Sequence, residues 1–133
     1  MLGIILITHG KLGEALYETL THIMGPQSHI SVLSVDSGNS VLGYPGKILS
    51  LIESVDQGKG VILLTDMFGG TPSNLAISAL SCDKPLEVIA GVNLPLFIKL
   101  VEIRGNTSLE DAVLIAQEAG RKYIHSASSL LKN

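Results

Sequence analysis

The chain has 133 residues, 46% of them hydrophobic and 16% charged, which is enough for one core and too apolar for a disordered segment. A net charge of −3 argues against a phosphate-backbone binder, and with no Trp, three Tyr and two Phe there are few platforms for stacking single-stranded nucleic acid. Cys82 is alone, no apolar run approaches the roughly 18 residues of a membrane span, and no basic segment precedes the apolar N-terminus. The reading is one cytoplasmic domain over 1–133, with no disulfide framework, no nucleic-acid partner and no direct membrane insertion.

Leu2 to Thr8 is a near-continuous β-type run ending at His9-Gly10. The period then changes: Leu12, Ala15, Leu16, Thr19, Leu20 and Ile23 repeat at helical spacing until Gly25-Pro26 stops the helix. Ile30 to Val35 reads as a second strand, followed by the polar loop Asp36-Ser37-Gly38-Asn39-Ser40. A second helix fits Pro45 to about Asp56, with Ile48, Leu49, Ile52 and Val55 on one face.

Val61 to Thr65 is a third strand, and behind it comes Asp66, then Gly69-Gly70-Thr71-Pro72. Proline is tolerated in the first turn of a helix, so this is strand, acidic tip, Gly-rich turn and helix start, with the helix running from Pro72 to Leu80. Leu86 to Ala90 makes a fourth strand, closed by Gly91-Val92-Asn93. Leu94-Pro95 starts a helix to about Ile103, ended by Gly105. Thr107 to Glu110 has the spacing of a capping box and opens a last helix through Ala112, Val113, Ile115, Ala116, Ala119 and Tyr123. The tail, Ile124 to Asn133, fits either a continuation of that helix or a fifth, edge strand.

Strands alternating with helices predict an α/β fold, an open, mostly parallel four-stranded sheet with helices on both faces. In such a sheet the loops at His9-Gly10, Asp66–Thr71 and Gly91–Asn93 lie along one edge, where α/β folds collect ligands. With strands one and three as neighbours, His9 faces Asp66. A carboxylate accepting from one ring nitrogen fixes the tautomer and leaves the other nitrogen a bare nucleophile. The N–H groups from Gly70 to Asn74, with the Thr71 hydroxyl, are suited to hold a phosphoryl group.

Plainer roles stand beside these. His9 also fits a structural cap, Asp66 a turn residue, and Ser73 and Asn74 helix caps. His22, His29 and His125 read as ordinary surface or loop histidines, and Cys82 as a small buried hydrophobe. Met67 and Phe68 read as core by default, or as a docking surface if the tip is exposed. The Gly-Lys pairs at Gly10, Gly46 and Gly58 lack a following Ser or Thr, no G-x-G-x-x-G turn follows the first strand, and no His, Cys and carboxylate set has metal-ligand spacing.

Three blocks, T-H-G (Thr8 to Gly10), T-D-M-F-G-G-T-P-S-N (Thr65 to Asn74) and V-I-A-G-V-N-L-P (Val88 to Pro95), resemble the mannose-type IIA domain of the bacterial phosphoenolpyruvate-dependent sugar phosphotransferase system. The resemblance implies a phosphocarrier without cofactor or metal. His9 would take a phosphoryl group from phospho-HPr and pass it to a IIB component. Asp66 would bond the ring nitrogen that is not phosphorylated, Nδ1, leaving Nε2 to react. Gly69, Gly70, Thr71 and Pro72, with Asn74, would form the phosphoryl-binding loop. Family members are dimers joined by an exchanged antiparallel C-terminal strand, which Ile124 to Leu131 would supply here. A second reading, in which a partner senses the phosphorylation state of His9, stays open because the sequence carries no fused IIB segment. A third, a phosphate or nucleotide binder with His9 incidental, lacks a nucleotide motif.

Overall fold

The computed structural model describes residues 1–36 and 41–132. The four apolar runs are strands: β1 (Gly3–His9), β2 (Ile30–Val35), β3 (Val61–Thr65) and β4 (Leu86–Ala90). They form one all-parallel sheet in the order β2-β1-β3-β4. Central strands buried on both faces need unbroken apolar sequence, and Ile4 to Ile7 of β1 and Val61 to Leu64 of β3 supply it with no solvent exposure.

Alternation along the strands divides the core. Ile4, Leu6, Ile62 and Leu64 pack under α1 (Leu12–Met24), α4 (Leu94–Ile103) and α5 (Leu109–Lys122), where Leu20, Phe97, Leu100 and Ala116 are buried. On the other face, Ile5, Ile7, Val61 and Leu63 meet α2 (Tyr44–Val55) and α3 (Thr71–Ser78) through Ile48, Ile52, Val55 and Ala76. The expected α/β sheet with helices on both faces is therefore present. Because β1 leads outward to β2 and the chain then returns to the other side of β1, the strand order reverses between β1 and β3. Their carboxyl ends form the switch point of the sheet.

Several local expectations shift. In α1 the covered face is Gly13, Leu16, Tyr17, Leu20 and Met24, while Leu12, Ala15, Thr19 and Ile23 are exposed. Gly13 sets this rotation, since its N–H donates to Thr8 Oγ1 at 2.7 Å and a Cβ there would lie 3.1 Å from that oxygen. Leu49 is exposed on α2, and Tyr44 is buried in its stead. The third helix starts at Thr71 and its last turn, Ala79–Ser81, is 3-10, with Leu80 outside. The cap of α5 is Ser108 and not Thr107: Ser108 Oγ accepts from the Asp111 N–H, whereas the Thr107 hydroxyl donates back to the Ile103 carbonyl. Ile115 and Tyr123 point outward.

The tail does not continue α5, and no strand forms over Ile124 to Leu131 in the single chain. Ser126 caps one helical turn, α6 (Ala127–Leu130), and the segment is exposed throughout. Residues 37–40 of the expected polar loop, and Asn133, lie outside the described residues. No helix among the described residues is long and apolar enough to cross a membrane.

Arg104, just past α4, is an unforeseen core residue with 3% exposure. Its guanidinium donates to the carbonyls of Leu2, His29 and Ser28 and to Gln27 Oε1, and its own carbonyl accepts the Leu2 N–H. One buried cation thus ties the start of β1 to the turn before β2, at the sheet edge opposite the switch point. Within that turn His29 takes a left-handed φ of 58° and its carbonyl accepts the Ile4 N–H. Arg104→Ala takes a charged donor from each of these acceptors, leaving the His29 carbonyl with the Ile4 N–H alone, and should lower the unfolding free energy by about 3 kcal/mol. Urea denaturation measures this; a loss under about 0.5 kcal/mol would mean that the turn holds without it.

Candidate functional site

Each central strand carries a buried threonine at or one residue before its end, followed by a polar residue. Thr8 precedes His9 on β1, and Thr65 precedes Asp66 on β3. The parallel register sets Ile7 beside Thr65, so the two chains leave the sheet side by side. After His9, Gly10 takes a φ of 51° and its N–H bonds to the Val35 carbonyl, which turns the chain into α1 and leaves the imidazole at the edge.

His9 and Asp66 meet as their adjacency predicted. His9 Nδ1 lies 2.8 Å from Asp66 Oδ2, and the same oxygen accepts the His9 backbone N–H at 3.0 Å. A carboxylate only accepts, so Nδ1 carries the proton and the neutral ring has its lone pair on Nε2. Asp66 Oδ1 accepts the Met67 N–H at 3.0 Å, completing three donors on one carboxylate. Burial pushes the Asp66 carboxyl up, but the hydrogen bonds from the His9 backbone and ring, with the charge that ring carries when protonated, outweigh it and hold the group below its ordinary 3.8. The imidazole is half exposed and the carboxylate 11% exposed, so an oriented ring is open to a partner while its anchor is shielded.

The other ring edge faces the Gly-rich turn. A Cβ on Gly70 would fall 2.7 Å from His9 Cε1 and 3.0 Å from Nε2, so only glycine admits the ring there. Gly70 is also the N-cap of α3, in extended conformation with no side-chain cap. Nε2 thus stands beside a helix N-terminus where the Thr71 and Ser73 N–H groups lack intrahelical acceptors and Pro72 has none to offer. Gly69, with φ 84°, makes the turn possible. Thr71 and Asn74 are exposed one turn apart on the same helix face, and Asn74 N–H bonds to the Gly70 carbonyl.

Ser73 does not cap the helix. It is fully buried, its hydroxyl donates to the Met67 carbonyl, and Thr65 Oγ1 lies 2.7 Å from it. Met67 and Phe68, at the outer end of the tip, are 57% and 68% exposed, so the core reading of both is replaced by an exposed apolar flank next to His9. His22 and His125 are exposed and His29 lies at the far edge of the sheet, so none of them joins the site. Among the described residues no group of three or more His, Cys, Asp or Glu side chains is placed to hold a metal ion.

A sequence model of the family described as PTS system fructose IIA component (EIIA-man) matches residues 3–117. The fructose-specific EIIA component of Bacillus subtilis is 29% identical over 84% of this chain and 76% of its own length. The mannose-specific EIIAB component of Escherichia coli K12 is 30% identical over 91% of this chain, which spans only 38% of that longer protein. Among solved structures, phosphotransferase system component EIIA from Streptococcus agalactiae superposes with a TM-score of 0.87 at 25% identity, covering 97% of this chain and 99% of that one.

Because the folded Asp66 carboxyl titrates below 3.8, its contribution to stability is complete above about pH 5 and is lost as pH falls through the folded value. Asp66→Asn should therefore cost about 1–2 kcal/mol at pH 7, and the gap from wild type should close in acid as pH falls through the lowered Asp66 value. Denaturant unfolding at several pH values measures it. A gap that is constant with pH would mean the carboxylate charge is not what His9 and Met67 hold.

Proposed function

The chain belongs to the EIIA-man family, and from that premise we propose that it is a phosphotransferase-system phosphocarrier whose His9 takes a phosphoryl group from phospho-HPr and passes it to a IIB component. The observation that carries this reading is the His9–Asp66 pair with Nε2 turned to the N-terminus of α3. Family membership supports a general phosphotransfer role; donor, acceptor and residue roles are inferred from chemistry and from the resemblance.

In the proposed step the Nε2 lone pair attacks phosphorus in line, and the nitrogen–phosphorus bond of the donor histidine breaks as the new one forms. The bonding pair returns to the donor imidazole, and the Nδ1 proton of His9 stays on the hydrogen bond to Asp66. The acceptor ring gains positive charge as it bonds phosphorus, and the Asp66 carboxylate 2.8 Å away stabilises it, much as a triad carboxylate serves its histidine. The phosphoryl oxygens spread negative charge towards the N–H groups of Gly70, Thr71 and Ser73 and the Thr71 hydroxyl, with Gly69 and Pro72 shaping the turn and Asn74 at its rim. Catalysis is positioning and charge stabilisation, the hydrogen bond to Asp66 engaging Nδ1 and leaving Nε2 to attack. The exposed Met67 and Phe68 suit an apolar contact with a docking protein. In this reading the protein works in the cytoplasm as a single IIA domain and as a homodimer, the exposed segment from Ile124 to Leu131 supplying the exchanged strand once a second copy is present.

Incubation with phosphoenolpyruvate, enzyme I and HPr, followed by intact-mass analysis, tests the reading. One added phosphate is expected, labile to mild acid and absent in His9→Ala. Asp66→Asn should accept it at least about 10²-fold more slowly. Uptake by His9→Ala would move the site elsewhere, and wild-type rates in Asp66→Asn would remove the role of the carboxylate.

A further inference from the structure

We propose that Thr65 and Ser73 are positioning residues for phosphoryl transfer at His9: their hydroxyls hold the Met67 peptide, and that peptide orients the Asp66 carboxylate on the imidazole. The inference rests on the phosphocarrier reading for its consequence, although its geometry is independent of it.

Thr65 and Ser73 both carry hydroxyls and have no exposure. A buried hydroxyl must find a partner, and Thr65 Oγ1 and Ser73 Oγ lie 2.7 Å apart. The direction of donation follows from the third member. The Met67 carbonyl can only accept, so the single Ser73 proton goes to it, and Thr65 must donate to Ser73. The Met67 peptide is then held on both sides, because its N–H donates to Asp66 Oδ1 at 3.0 Å. Asp66 Oδ2 in turn accepts both N–H groups of His9. One chain of hydrogen bonds thus runs from the Thr65 hydroxyl through Ser73, the Met67 carbonyl and amide, and Asp66 to the imidazole.

Two further features favour positioning over simple satisfaction of polar groups. First, Ser73 is the third residue of α3, and the N-cap of that helix, Gly70, lies against the His9 ring, so a hydroxyl that fixes Ser73 also fixes the helix end that the ring faces. Second, the Thr65 carbonyl accepts the N–H groups of Gly91 and Val92, so the anchor of the chain is fixed to β4 as well as to β1. The tip carrying Met67 and Phe68 is exposed and would otherwise be tied only through its two ends.

The test compares Thr65→Val, which keeps shape and removes the donor, Thr65→Ser, which restores it, and Ser73→Ala. The ring nitrogen chemical shifts of unphosphorylated His9 report the tautomer, and the rate of phosphate acceptance from phospho-HPr reports the consequence. Wild type should show the Nδ1–H form alone. Thr65→Val and Ser73→Ala should show mixed tautomers and accept phosphate about 10- to 100-fold more slowly, and Thr65→Ser should recover both properties. A lowered melting temperature with wild-type tautomer and rate would overturn the inference and leave the pair as packing. If Ser73→Ala fails to fold, the two Thr65 variants decide alone. Wild-type protein that takes no phosphate would refute the phosphocarrier reading, whereas the tautomer comparison would still judge the hydrogen-bond chain.

Discussion

The hydrogen bond between His9 Nδ1 and Asp66 Oδ2 is the constraint on which the site depends, and the sheet exists in a form that makes it. An imidazole on a flexible loop samples both tautomers and many orientations. Here the ring and the backbone of His9 converge on one carboxylate oxygen, and the carboxylate is itself held by the next peptide. That convergence requires β1 and β3 to be parallel neighbours ending at the same level, which the strand order and register supply. The bond in turn decides which nitrogen is free. Gly70 decides what that nitrogen faces, since any side chain there would occupy the space of the ring.

The rest of the fold keeps those strand ends in place. Ile4 to Ile7 and Val61 to Leu64 bury both faces of the central pair, and five helices cover them. Thr8 fastens α1 to the end of β1 through the Gly13 N–H, and Thr65 fastens α3 to the end of β3 through Ser73. The chemistry therefore sits one residue beyond two buried anchors. At the far edge, Arg104 closes the turn before β2 with carbonyl partners instead of a carboxylate.

Most of the architecture was legible because the central strands are apolar without interruption and the turns carry Gly and Pro. β2, β3 and β4 fall at the residues expected, and the His9–Asp66 contact follows from strand adjacency. Helix faces were less legible. In α1 a backbone contact at Gly13, invisible to hydrophobic periodicity, turns the helix so that Leu12 and Ile23 are left outside. The α5 cap is off by one because Thr107 and Ser108 are chemically equivalent as caps, and only the Ile103 carbonyl decides between them. Arg104 went unnoticed as a core residue, although an arginine closing the apolar run from Leu94 to Ile103 was a usable signal. A serine in a first helical turn, as Ser73 is, reads most simply as a cap. Its true partner, Thr65, is eight residues away and is found only once the strand and helix are folded together. From Ile124 to Lys132 the chain is exposed, with a single helical turn at Ala127–Leu130, and its Ser-Ala-Ser-Ser centre has no pattern that selects a strand.

The central claim is that Asp66 reserves Nδ1 and so commits the phosphoryl group to Nε2 of His9. Nitrogen–phosphorus correlated NMR on the phosphorylated protein, with the histidine rings labelled, tests it most directly. The account predicts a single coupled nitrogen, Nε2 of His9, with Nδ1 still protonated. Phosphorus coupled to Nδ1, or to a ring nitrogen of His22, His29 or His125, would contradict it.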